Sequence, residues 1–136
     1  MQFVVMGDFN HVVDRELDKC SNGLSMVSKV LPLHKWFKNQ GFVDIFRMVN
    51  PDLMKYSWSG QGVETRIDQI WVSEDLKYGV LAADIVEADT ITASDHAIVT
   101  ANITMKHVVQ LHSAAAERKK EISRNIYLYD EATKED

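Results

Sequence analysis

The chain has few of the residues that staple small secreted domains or that draw a protein to polyanions and lipid. One of its 136 residues is a cysteine, Cys20. A single thiol forms no internal disulfide and lacks the partners of a zinc site or a Cys-based redox motif, so a reducing compartment is expected. Positive charge is not in excess: 15 Lys and Arg against 20 Asp and Glu give a net charge of −5. No global basic field gathers nucleic acid, and only a local basic patch remains open. No apolar run approaches membrane-spanning length. Nor does a basic segment followed by an apolar stretch of about 7–15 residues open the sequence. Internal repeats and low-complexity tracts are likewise lacking. These absences lead us to expect an intracellular, soluble protein with no membrane partner. What is present suits one globular domain with one modest core: 46% hydrophobic and 26% charged residues.

Along the chain, strand-like and helix-like segments alternate. Phe3-Val4-Val5-Met6 is a continuous apolar run closed by Gly7, the pattern of a strand buried on both faces. Leu33, Trp36 and Phe37 recur at helical spacing, with Lys35 and Lys38 on the other face and Gly41 placed as a stop. This predicts an amphipathic helix of about ten residues. Phe42 to Phe46 predicts the start of a second short helix, ended by Asn50-Pro51. Tyr56-Ser57-Trp58 and Thr65 to Val72 read as the two strands of a hairpin turning at Gly60-Gln61-Gly62. Val80 to Val86 and Ala97 to Met105 supply two more strands, the second with Val99 and Ile103 on one face. The pattern indicates an α/β domain over residues 1–105. Residues 106–136 read as a charged helical linker or tail, in which Glu117 and Glu121 beside Arg118, Lys119, Lys120 and Arg124 make a solvated face.

Three short motifs carry the chemistry, each attached to an apolar run: Gly7-Asp8-Phe9-Asn10, Arg66-Ile67-Asp68 and Ser94-Asp95-His96. Each motif also has a plain structural reading. Asp8 and Asn10 suit a turn after a strand. Ser94-Asp95 suits a cap. Asp68 is harder to explain away, because it stands between Ile67 and Ile70 in a strand, where aspartate is disfavoured and a half-buried carboxylate calls for a partner. His11, His34, His107 and His112 show no ligand spacing and read as surface residues.

The ordered set Gly-Asp-Phe-Asn, Gly41-Phe42-Val43-Asp44, Tyr56-Ser57-Trp58, Arg66-Ile67-Asp68-Gln69-Ile70 and Ser94-Asp95-His96 resembles the second half of the endonuclease/exonuclease/phosphatase superfamily. Within it, the sequence is most similar to the endonuclease of non-LTR retrotransposon polyproteins, from Phe3 to about Met105. The resemblance implies a four-layer α/β sandwich of mostly antiparallel strands with flanking helices. It also implies a phosphodiester hydrolase acting on DNA with Mg²⁺ or Mn²⁺. Asp8 would orient or deprotonate the attacking water, and Asn10, two residues on and on the same face, would hold a phosphate oxygen. Asp95 would help bind the metal. His96 would donate to the phosphate, oriented and kept protonated by Asp68, and Trp58 would pack the hairpin or face the DNA.

Members of this superfamily carry an N-terminal half that supplies an Asn, the principal metal-binding Glu, a Tyr and a His. This sequence begins at the Gly-Asp-x-Asn strand. The expectation is therefore a domain with its N-terminal half missing, an incomplete site, and an apolar sheet face left uncovered for self-association. Two alternatives stand beside the endonuclease: a non-catalytic interaction module, and a phosphatase of the same superfamily.

Overall fold

A computed structural model describes residues 1–22, 30–88 and 93–104. The expected tail over 106–136 lies outside the described residues. In chain order the elements are β1 (Val4–Asp8), β2 (Lys19–Ser21), α1 (Pro32–Asn39), β3 (Val43–Asp44), α2 (Ile45–Val49), β4 (Trp58–Gly60), β5 (Val63–Thr65), β6 (Asp68–Val72), β7 (Val80–Val86) and β8 (Ile98–Ile103). Every strand pairing is antiparallel. The strands form one sheet in the order β1-β6-β3, a second in the order β2-β5-β4, and the pair β7-β8. The mixed α/β class with antiparallel sheets and few helices is as the sequence indicated.

The core is built around β6. Ile70, Trp71 and Val72 are buried, as are Phe37 of α1, Ile45 and Phe46 of α2, and Ala83 and Ile85 of β7. Helix α1 starts with Pro32 at its first turn, where a missing N–H costs nothing, and places Lys38 near its C-terminal carbonyls. Gly41 follows the cap with φ +76, the left-handed stop the sequence announced. A Cβ there would also come within 3.0 Å of Glu74 Oε2. Gly41→Ala is therefore expected to destabilise the protein by about 1–2 kcal/mol. Urea denaturation should show a lower midpoint at an unchanged slope, and an unmoved midpoint would refute the strain.

Four expectations need correction. The helix buries His34 and Phe37, whereas Leu33 and Trp36 are 41% and 51% exposed. His34 is fully buried, not a surface residue: its ring stacks on Trp71 at 5.4 Å and meets Phe9 and His11. His11 is itself half-buried. Burial disfavours the imidazolium and holds His34 below the usual histidine range. Second, β1 is an edge strand, and Met6 is 66% exposed, so it is not covered on both faces. Third, the second helix begins at Ile45, capped by the Asp44 side chain, and Val43–Asp44 pairs with β6 instead.

The fourth correction concerns Thr65 to Val72. The hairpin closes at Gln61-Gly62 between β4 and β5, but the expected long second strand breaks after Thr65 and resumes at Asp68 in a different sheet. Arg66 causes the break. Its guanidinium is fully buried, with Nε donating to Asp18 Oδ1 at 2.7 Å and Nη2 to Asp44 Oδ2 at 2.6 Å, while its N–H donates to the Asp18 carbonyl at 2.9 Å. Arg47 also donates to Asp18, and both guanidinium groups lie over the Phe46 ring. Two arginines thus neutralise two buried aspartates. Burial works against the Asp18 anion, but the Arg66 hydrogen bond and charge outweigh it and hold that carboxyl below its usual range.

Candidate active site

The antiparallel register of β1 and β6 sets Asp8, at the end of one strand, directly opposite Asp68, at the start of the other. Like charges in opposed positions repel. The loop before β8 brings His96 against this pair. Its Nδ1 lies 2.8 Å from Asp68 Oδ2, and because the carboxylate has no proton to give, the ring nitrogen donates. One ligand atom from each of Asp8, Asp68 and His96 lies within 4.8 Å of the others.

His96 stands between two acids. Asp95 Oδ1 is 4.0 Å from His96 Nε2, on the ring side away from Asp68. The Asp68 hydrogen bond, outweighing the effect of burial, raises the histidine above its ordinary value, and the charges of Asp68, Asp95 and Asp8 add to it. A raised folded-state value means that this contribution to stability is complete below the ordinary histidine value and is lost as pH rises through the folded one. Titration of the His96 ring by NMR should place its midpoint above that of a free histidine. Asp68→Asn should lower it, and equal midpoints in the two proteins would contradict the coupling.

Trp58 and Asp95 form the other wall. Trp58 is half-exposed and pairs with His96 through an isolated β-bridge. Its indole N–H donates to Asp95 Oδ2 at 2.9 Å, which is the main reason the Asp95 carboxyl sits below its usual range. The indole lies against Gly60 of its own strand, where an added Cβ would stand 2.6 Å from the ring. A cavity of about 210 Å³ opens beside it, bordered by Trp58, Glu64, Glu87, Asp95 and His96.

The structure thus brings Asp8, Asp68 and His96 into one group, with Asp95 and Trp58 alongside. Asn10 lies beyond the end of β1 with φ +48, and its N–H donates to Asp8 Oδ1 at 2.7 Å. The plain turn-forming reading of Asp8 and Asn10 therefore holds as geometry, and strand alternation does not carry as far as Asn10. Sequence reasoning missed two supports. Gln69 is buried, accepts the Trp71 indole N–H and donates to the His11 carbonyl. Ser57 is buried at the point where the chain crosses between sheets, and its place inside Tyr56-Ser57-Trp58 was the one available signal.

The donor chemistry fits a hard divalent cation. Two opposed carboxylates offer oxygen ligands of the kind Mg²⁺ prefers, while the imidazole nitrogen nearest them is engaged with Asp68. No helix among the described residues is long and apolar enough to cross a membrane.

No family model and no curated protein matches the sequence. Solved structures do match. A 3′–5′ exonuclease from Neisseria meningitidis superposes with a TM-score of 0.59 at 27% identity, covering 75% of this chain and 45% of that one. An AP endonuclease from Leishmania major gives 0.62 at 24% identity, over 74% of this chain and 34% of that one. A Neisseria structure described as a 3′ phosphatase bound to product DNA hairpin gives 0.55 at 25% identity, over 76% and 45%. The chain spans less than half the length of each. It shares its fold with these exonuclease, AP endonuclease and 3′ phosphatase structures, and it carries its acid and imidazole group where the ends of β1 and β6 meet the loop before β8.

Proposed function

We propose that the chain is one half of a Mg²⁺-dependent phosphodiesterase site, of the DNA endonuclease type found in non-LTR retroelements, and that it is inactive alone. The convergence of Asp8, Asp68 and His96 supports this reading most, together with the likeness to a 3′–5′ exonuclease and to a 3′ phosphatase bound to a DNA hairpin. Phosphodiester hydrolysis depends mainly on aligning a water behind phosphorus and stabilising charge on the oxygens. His96, protonated through Asp68, donates to a phosphate oxygen. Asp8 orients the water, and the Asn10 amide, being neutral, holds a phosphate oxygen without repelling it. Trp58 holds Asp95 in place and borders the path of the substrate. A bound Mg²⁺, or Mn²⁺ in its place, which Asp95 would help to hold and to which Asp8 and Asp68 offer further carboxylate oxygens, would supply further charge stabilisation.

Two measurements test the reading. Mn²⁺ added to the isotope-labelled chain should broaden resonances around Asp8, Asp68 and His96, and Asp8→Asn should weaken the effect. Supercoiled plasmid incubated with the chain and Mg²⁺ should stay intact, whereas a form extended toward the length of the solved neighbours should nick it. Broadening centred elsewhere, or nicking by the extended form that survives loss of both Asp8 and His96, would defeat the proposal.

The neighbour described as a 3′ phosphatase favours a second reading, in which the same site removes a terminal phosphate. Release of inorganic phosphate from a 3′-phosphorylated duplex, without nicking of intact plasmid, would select it. The exposed Val4 and Met6 face favours a third, an interaction module that self-associates. A stable monomer in sedimentation would remove that one.

A further inference from the structure

Asp68 and His96 come from different parts of the chain, so something must hold β6 and the loop before β8 at one separation. Among the described residues, the segment Ser57–Trp58 is hydrogen-bonded to both. Ser57 is 1% exposed, and its Oγ accepts the N–H of Ile67 at 3.1 Å and of Asp68 at 2.9 Å. These amides fall where the chain leaves one sheet for another, at the start of the β6 ladder with β1. On the other side, the Ser57 carbonyl accepts the N–H of Ala97 at 2.7 Å, one residue past His96. The Ser57 N–H is tied to the Thr65 carbonyl at 3.0 Å, so the segment cannot slide along β5. Its neighbour Trp58 completes the contact through the bridge to His96.

We infer that Ser57 is a positioning residue, whose hydroxyl sets the start of β6 and whose carbonyl sets the loop before β8, so that Asp68 and His96 meet. This rests on the proposed function only for the claim that the Asp68–His96 contact does work, and the contact can be observed without turnover. A methyl in place of the hydroxyl leaves two buried N–H groups without an acceptor. The Asp68 backbone then keeps its pairing with β1 but loses its hydrogen-bonded tie, through Ser57, to Ala97.

The test is NMR of the isotope-labelled chain, comparing wild type, Ser57→Ala and Ser57→Thr. In the wild type the His96 Nδ1–H, deshielded by its hydrogen bond to Asp68, should give a downfield resonance. In Ser57→Ala that resonance should be lost and amide exchange at Ile67 and Asp68 should accelerate, with slow exchange at Val5 and Trp71, an opposed pair further along the β1–β6 ladder, retained. Ser57→Thr, which keeps the oxygen, should restore the resonance. A folded alanine variant with the His96 resonance intact would make Ser57 merely structural and overturn the inference. If the alanine variant does not fold, the threonine variant decides: a retained resonance supports the inference, and a lost one overturns it. Neither result depends on phosphodiester hydrolysis, so failure here leaves the Mn²⁺ and plasmid experiments standing.

Discussion

Arg66→Met is expected to destabilise the fold by about 3–5 kcal/mol, the typical cost of leaving a buried charge without its partner. The guanidinium is fully buried and is shared by Asp18 and Asp44, which are 0% and 8% exposed. Methionine keeps much of the volume and removes every donor. Arg47 remains beside Asp18, but only its Nη2 reaches that carboxylate, while Nη1 serves the carbonyls of Asn50, Pro51 and Leu53. For a domain of this size each kcal/mol moves the melting temperature by roughly 4–8 °C. The variant should therefore melt well below wild type or fail to fold. Adding Asp18→Asn should recover part of the loss, because the orphaned anion is gone, and a double-mutant cycle would read the coupling directly. A midpoint within a few degrees of wild type would mean that water reaches the aspartates and that the network contributes little.

In an extended form that nicks plasmid, His96→Ala should lower the rate by about 10²–10⁴-fold, the usual range for loss of a positioned acid. KM should change far less, because the donor acts on charge that develops in the transition state. Asp68→Asn should also lower the rate, since the ring loses the carboxylate that orients it at 2.8 Å and favours its protonated form. Asp95→Asn should reach the ring more weakly, because Asp95 stands 4.0 Å from Nε2 and is largely solvent-exposed. Nicking rates at saturating plasmid would check this order, and an unaffected His96→Ala rate would remove the histidine from the chemistry.

Much of this was written locally in the sequence. Val80 to Val86 is a strand at those same residues, and Gly41 ends its helix in the left-handed region as its position implied. Asp68 was suspicious because an acid in an apolar strand must answer to something, and His96 is what it meets. The break after Thr65 was hidden because its cause is distant. Asp18 lies 48 residues from Arg66 and has no local feature to mark it as a buried counter-ion. His34 was misread for a similar reason: without ligand spacing it read as a surface residue, and only the tertiary approach of Trp71 makes the imidazole part of the core. The apolar run Phe3 to Met6 implied cover on both sides, a property of neighbouring layers that no window of sequence contains. β2, Lys19–Ser21, had no periodicity to announce it, and it exists through its register with β5.

Gly60 looked like punctuation before a turn, yet it serves as a seat. With the indole of Trp58 resting where a side chain would begin, even the smallest replacement must push a rigid bicyclic ring aside and carry its N–H away from Asp95. A position chosen as harmless for tagging or loop engineering would thus unhook a carboxylate beside His96 without touching any group that does the chemistry.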